Sequence, residues 1–209
     1  MTQPLVLGTT NSGKVRELVA LLAPFGIGCE SLAGLPAAVE VEETGDTFAA
    51  NAALKATAQA RALGRWVLAE DSGLVVPALG GAPGVFSARF AGVVAGEPRE
   101  AADARNSALL LERLAGMRGG ARAAHYACHA ALADPDGRIV AVAAGTCGGL
   151  IGEQPAGAGG FGYDPLFIVP EYHRTFGELA PAVKGVLSHR GRALRALLPA
   201  LVTALSGPA

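Results

Sequence analysis

Apolar and polar positions along this chain fall into blocks whose period switches repeatedly between strand-like and helix-like. Pro4-Leu5-Val6-Leu7-Gly8 predicts a short buried strand, followed by a polar loop from Thr9 to Gly13. A helix is expected from about Lys14 to Phe25, because Val15, Leu18, Val19, Leu22 and Phe25 recur at helical spacing. Cys29 to Leu32 predicts a second strand and Val39 to Glu42 an extended segment. An Ala-rich helix is expected from Thr47 to about Leu63, stopped by Gly64, with Phe48, Asn51 and Lys55 on one face. Trp66 to Ala69 predicts a strand, Glu70-Asp71-Ser72-Gly73 an acidic turn, and Leu74 to Leu79 another apolar run.

Gly80 to Gly92 predicts a Gly/Pro loop, and Pro98 the first turn of a third helix reaching about Met117. Arg122 to Leu132 and Arg138 to Cys147 predict a hairpin around Asp134-Pro135-Asp136-Gly137. Gly152 to Gly162 is expected to be irregular. A short strand near Phe167 and a last helix from about Ser188 to Leu205 complete the pattern. Both helices and a hairpin separate the strands, so the expected class is α/β with a mixed sheet rather than a purely parallel one.

Composition narrows the function classes. No apolar run reaches the roughly 18 residues that span a bilayer. Met1-Thr2-Gln3-Pro4 does not open a secretory signal. A soluble cytoplasmic protein without a membrane partner is therefore expected. The net charge of −1 gives no basic field for binding a nucleic-acid polymer, so any nucleotide should be held by a few placed groups. Cys29, Cys128 and Cys147 are odd in number and widely spaced, which argues for buried thiols rather than disulfides or a zinc site. Only three lysines stand against fourteen arginines, and all three lie in the most polar segments: Lys14, Lys55 and Lys184. A compact ammonium is not interchangeable with a guanidinium fork at a phosphate or reaction centre.

Five segments carry candidate chemistry. Gly8 to Lys14 matches the GxxxxGK half of a P-loop between a strand and a helix, suited to phosphate through backbone N–H groups, the helix N-terminus and Lys14. Val15 stands where a P-loop needs Ser or Thr for its metal, which disfavours a P-loop kinase. Glu42-Glu43-Thr44-Gly45-Asp46-Thr47-Phe48 alone reads as a helix start. Glu70-Asp71 at the end of an apolar strand changes that, since buried acids need a cation. With Glu43 they make a candidate oxygen-ligand set for Mg²⁺, the alternative being a solvated turn. Gly159 to Pro165 sets Phe161 and Tyr163 among glycines, with Asp164 as an acceptor, suited to packing a nucleobase. Lys184, His189 and Arg190 gather donors around Ser188, suited to a purine bearing carbonyl oxygens. His125 and His129 are expected to be structural.

In order along the chain, these segments resemble a known family. They are Thr10-Asn11-x-x-Lys14, Glu43-x-Gly45-x-Thr47-Phe48 with Asn51-Ala52-x-x-Lys55-Ala56, and Asp71-Ser72-Gly73-Leu74. Gly80-Gly81-x-Pro83-Gly84 with Ser87-Ala88-Arg89, then Gly160 to Pro165, Lys184 and Ser188-His189-Arg190 complete the series. The resemblance is to the non-standard purine nucleoside triphosphate pyrophosphatases, also called the inosine triphosphate pyrophosphatase or HAM1-like family.

It implies one domain over residues 1–209, with two lobes of a long twisted mixed sheet around an active-site cleft, a homodimer, and a need for Mg²⁺. The implied reaction is cleavage of ITP, dITP or XTP between the α and β phosphates. By matching position, Asp71 corresponds to the water-activating base and Glu43 to a metal ligand, with Asp71 or Glu70 sharing that metal. Thr9, Thr10, Asn11, Ser12, Gly13 and Lys14 correspond to the phosphate loop, with Lys55 nearby. Ser72, Phe161, Gly162, Tyr163, Asp164, Lys184, His189 and Arg190 correspond to substrate contacts. Glu70 departs from the Asp usual in bacterial relatives. A same-architecture enzyme acting on modified pyrimidines, as in Maf-like proteins, is the alternative.

Overall fold

Leu5, Val6 and Leu7 are all buried, as expected of a strand covered on both faces. In the computed structural model, which describes residues 3–206, they form β1 (Leu5–Leu7), paired in parallel with β2 (Cys29–Ser31) and β3 (Val67–Val75). Residues 1 and 2 of the N-terminal reading lie outside the described residues. The sheet continues through β4 (Ala123–Ala133), β5 (Ile139–Ile151), β6 (Phe167–Val169) and β7 (Arg174–Thr175), in the order β2-β1-β3-β4-β5-β6-β7. Both β5–β6 and β6–β7 are antiparallel, so the sheet is mixed as the pattern predicts. The helices are α1 (Ser12–Leu22), α2 (Phe48–Leu63), α3 (Arg99–Arg113), α4 (Pro181–Leu187) and α5 (His189–Ser206).

Two compact units share this chain. One holds the residues up to Asp71, Cys128–Gly145 and the residues from His189 onward; the other holds Ser72–Ala127 and Thr146–Ser188. Alternation in β1 splits the core of the first unit, because neighbouring strand residues point to opposite faces. Leu5 and Leu7 pack with Leu18, Leu22 and Leu197, whereas Val6 packs with Ala52, Ala56 and Ala60 of α2. On α2 the residues that meet the sheet are small, Ala52, Ala56 and Ala60. In the second unit, Tyr126, Phe167 and Phe176 form an aromatic centre with ring centroids 4.8–6.0 Å apart.

Local signals set most boundaries. The Asn11 and Thr47 side chains cap α1 and α2 by accepting from the Lys14 and Ala50 N–H groups. Gly64, in the left-handed region at φ 61°, ends α2. Asp134 accepts from the Asp136 and Arg138 N–H groups and closes the turn after β4.

Several details differ from the expectations. Glu70 to Gly73 form no turn: β3 runs unbroken from Val67 to Val75, and Glu70 and Asp71 are buried inside it. Three nearby cations neutralise these acids, so the strand need not bend toward water. The last helix starts where expected, α5 following an extended Ser188 at φ −64° and ψ 154°, but a further short helix, α4, precedes it and carries Lys184. Helices α1 and α3 also stop short of Phe25 and Met117; after α1, residues Ala23–Phe25 continue as a 3₁₀ turn containing Pro24. The segment over residues 39–42 belongs to no helix or strand, and Gln59 bonds both the N–H and the C=O of Val39.

Candidate active site

The loop between β1 and α1 is built for close backbone approach. A Cβ on Gly8 would stand 2.8 Å from Ala69 Cβ, so only glycine lets β1 leave the sheet here. Thr9 Oγ1 accepts from the Asn11 N–H at 3.2 Å, and Asn11 Oδ1 accepts from the Lys14 N–H at 3.0 Å. Thr10 and Ser12 are exposed, Thr9, Asn11 and Lys14 half-buried, and Gly13 buried at the positive end of α1.

Asp71 lies where α2 meets β3. Asn51, fully buried one turn into α2, donates from Nδ2 to Asp71 Oδ2 at 3.2 Å and accepts from the Gly45 N–H at 2.8 Å. It therefore ties Asp71 to the segment carrying Glu43. A Cβ on Gly45 would meet Asn51 Oδ1 at 2.7 Å, which accounts for the Gly-to-Asn spacing. Lys55, one turn further on, places Nζ 2.6 Å from Glu43 Oε1 and 3.3 Å from Asp71 Oδ1. Burial raises the Asp71 pKa above the ordinary carboxylate value, and the attraction of Lys55 and Lys14 does not cancel it. For Lys55, burial works against the charge, but Asp71 and then Glu43 outweigh it, so its pKa is raised. Asn51 is the contact missing from the residue assignment, although its place on the Lys55 face of α2 was visible in the spacing.

Glu70 points to the opposite face of β3 from Asp71, because the two are adjacent in a strand. Lys14 Nζ lies 3.2 Å from Glu70 Oε1, and Arg190 donates to the same oxygen from both Nε and Nη2 at 3.1 Å. Arg190 also pairs with Glu17 of α1. Its side chain is 2% exposed; burial opposes its charge, but Glu70 and Glu17 outweigh that and raise its pKa. The buried Cys128 thiol donates to Glu70 Oε2 at 3.6 Å, and burial, then the Glu70 charge, push its pKa up. Glu17 was legible only as a charge on α1.

The second unit holds a separate cluster. Lys184 Nζ lies 2.5 Å from Asp164 Oδ2, both side chains being buried. The same oxygen accepts from the Phe161 N–H at 2.8 Å, and Tyr126 Oη donates to Asp164 Oδ1 at 3.4 Å. The Lys184 ammonium stands 5.1 Å from the Phe161 ring centroid and 5.5 Å from that of Phe176. Gly160 has φ 75°, and any Cβ there would run into Asp164. Phe161 and Gly162 are half-buried, Tyr163 is buried, and Ser72 is half-buried directly after Asp71. Lys184 is thus joined to Asp164 and Phe161, whereas Arg190 is joined to Glu70 and Glu17. His189 is buried at the start of α5. His129, expected to be structural, stacks with Phe48 at 6.4 Å.

Glu43 and Asp71 already converge on one cation, the Lys55 ammonium. Two carboxylates suit a hard divalent ion that completes its shell with water and substrate phosphate. Among the described residues no cluster of three or more His, Cys, Asp or Glu side chains offers a metal an all-protein cage. The donor set fits a substrate-assisted metal site, with Glu70 turned toward Lys14 and Arg190.

Comparison with known proteins places the chain in a family. Residues 5–200 match the model of the Ham1 family. The dITP/XTP pyrophosphatase of Rhodopirellula baltica is 50% identical over 198 residues, covering 95% of this chain and 92% of that protein. The dITP/XTP pyrophosphatase of a Nostoc species is 48% identical over 209 residues, the full length of both. Among solved structures, the Ham1 protein of Staphylococcus aureus superposes with a TM-score of 0.80 at 36% identity, covering 97% of this chain and all of that one. A HAM1 protein from Coxiella burnetii gives 0.81 at 38% identity, covering 96% and 98%. The chain belongs to the Ham1 family.

Proposed function

We propose that this protein hydrolyses deaminated purine nucleoside triphosphates, dITP, XTP and ITP, to the nucleoside monophosphate and pyrophosphate, and so clears them from the nucleotide pool. The observation that carries this reading is the meeting of Glu43 and Asp71 at Lys55, beside a phosphate-type loop in a Ham1 chain. Family membership makes a divalent metal the expected cofactor, and we assign it as Mg²⁺, held by Glu43 and Asp71. When bound, Mg²⁺ would polarise the phosphate oxygens and offset their charge. Glu70 is assigned instead as the shared counter-ion of Lys14 and Arg190.

Asp71 is the proposed base. Burial keeps its carboxylate more basic than usual, and Asn51 fixes one oxygen. It takes a proton from water attacking the α phosphorus. Thr9 to Gly13 would cradle the phosphates through backbone N–H and hydroxyl groups, with Lys14 and Lys55 adding charge. Phe161 would stack on the base, with Gly162 and Tyr163 shaping that loop. Lys184 would donate to the purine 6-oxygen and Asp164 would accept from the base. Ser72 and His189 are assigned to substrate contact on the motif alone, and Arg190 to holding Glu70.

Residues 1–209 are taken as one functional domain, since the chain passes between its two units four times. We expect a cytoplasmic homodimer. A pyrophosphate-release panel with XTP, dITP, ITP, GTP, ATP and modified pyrimidine triphosphates, each with Mg²⁺, tests the reading. Turnover concentrated in the 6-oxo purines XTP, dITP and ITP is expected. Turnover confined to pyrimidines would replace it with the Maf-like alternative.

A further inference from the structure

We infer that Asp103 on α3 is a positioning residue for nucleobase binding, holding the Phe161-Gly162 segment through the Gly162 amide. This rests on the assignment of that segment to the base. Phe161 sits between Gly160 at φ 75° and Gly162 at φ 61°, so its neighbours leave the backbone unusually free in the unfolded state. A stacking ring on such a segment contributes binding energy only if something fixes it beforehand.

Two carboxylates do this. Asp164 Oδ2 accepts from the Phe161 N–H at 2.8 Å, a contact within the loop itself. Asp103 Oδ2 accepts from the Gly162 N–H at 2.9 Å, reaching from a different element 59 positions away in sequence. The other Asp103 oxygen is held by Arg99 Nε at 2.9 Å, one helical turn earlier, and the Asp103 side chain is 13% exposed. Both bonds are charge-assisted.

The same helix fixes the segment on which Tyr163 rests. Buried Asn106 accepts from the Ala91 N–H at 2.7 Å and donates to the Ala88 carbonyl at 3.2 Å. Tyr163 Oη donates to the Ser87 carbonyl at 2.9 Å. Asp103 and Asn106, three apart on α3, thus hold Gly162 directly and the loop that receives the Tyr163 hydroxyl. If Asp103 served only the helix, its i,i+4 pair with Arg99 would contribute little, and substrate affinity would not depend on it.

The test compares Asp103→Ala and Asp103→Asn in the full chain, alone and combined with Phe161→Ala. Asp103→Ala is expected to raise KM for ITP about tenfold, the scale of one charge-assisted bond, with kcat little changed. Asp103→Asn keeps an acceptor for the Gly162 N–H and is expected to recover most of that loss. In the Phe161→Ala background, Asp103→Ala should add almost nothing, because both changes remove the same ring contact. Amide hydrogen exchange at Gly162 supplies a readout independent of substrate and should accelerate in Asp103→Ala. Unchanged exchange, or a full additive KM effect in the double variant, would overturn the inference. Unchanged KM in Phe161→Ala with accelerated exchange in Asp103→Ala would instead remove the loop from base recognition, a failure of the functional assignment.

Discussion

Replacing Lys55 by Met keeps the length of the side chain and removes the ammonium between Glu43 and Asp71. The side chains of Lys55 and Asp71 are only 12% and 8% exposed, while Glu43 is 28% exposed and partly screened. Removing one partner of a buried pair costs about 3–5 kcal/mol, and the exposure of Glu43 puts this site near the lower end, about 3 kcal/mol. For a chain of this size that corresponds to a fall in Tm of roughly 6–12 °C.

The pH dependence has a definite sign. The folded-state pKa of Asp71 is raised, so the cost of its charge is absent below the unfolded value and appears as pH rises through the folded one. Without Lys55 that cost grows, so in metal-free protein the gap between variant and wild type should widen from acid to neutral pH. Lys55→Met should also gain more stability from added Mg²⁺ than wild type, because a divalent ion replaces the missing charge at the same carboxylates. Urea melts in chelator and in Mg²⁺, across pH, measure all three effects. A loss below about 1 kcal/mol, the range of an exposed pair, or equal Mg²⁺ responses, would refute the coupling of Glu43 and Asp71 at one cation site.

Asp71→Asn should lower kcat by at least about 10²–10⁴, the range of a lost general base. Its metal-free stability at neutral pH should not fall, because the charge that burial disfavours is gone; near-normal turnover would reject Asp71 as the base. Arg190→Met should destabilise by about 3–5 kcal/mol, since Glu70 stays buried with less compensation. Arg190→Lys should restore little of this, because an ammonium lacks the fork that meets Glu17 and Glu70 together; denaturant midpoints decide both. Lys184→Met should narrow the preference for ITP over ATP by about tenfold or more, read from kcat/KM ratios, through loss of a donor to the 6-oxygen. An unchanged ratio would move base reading away from Lys184.

Periodicity and turn residues carried most of the fold. The apolar run before Gly8, the Thr47 and Gly64 signals around α2, and the Asp-Pro-Asp-Gly turn are local, and each appears where those residues place it. The acidic run was misread because its environment is not local. Glu70 and Asp71 resemble a turn until Lys14, Lys55 and Arg190, which lie 56, 16 and 120 positions from the acids they pair with, are brought against them. The short helix α4 before Ser188 was not anticipated, because seven residues are too few to display a helical period. At the site, Lys14, Lys55 and Lys184 stood out by their rarity. Asn51 showed only its shared face with Lys55, and Glu17 only a charge on α1, because the partner each one meets is distant in sequence.

Turnover of dITP in ¹⁸O-labelled water, with Mg²⁺ and without contaminating pyrophosphatase, is the most direct measurement of the proposed chemistry. Attack at the α phosphorus should yield dIMP and pyrophosphate in equal amounts, with the label in dIMP alone. Label in inorganic phosphate, or dIDP as the first product, would mean attack at the γ phosphorus and would contradict the proposed reaction.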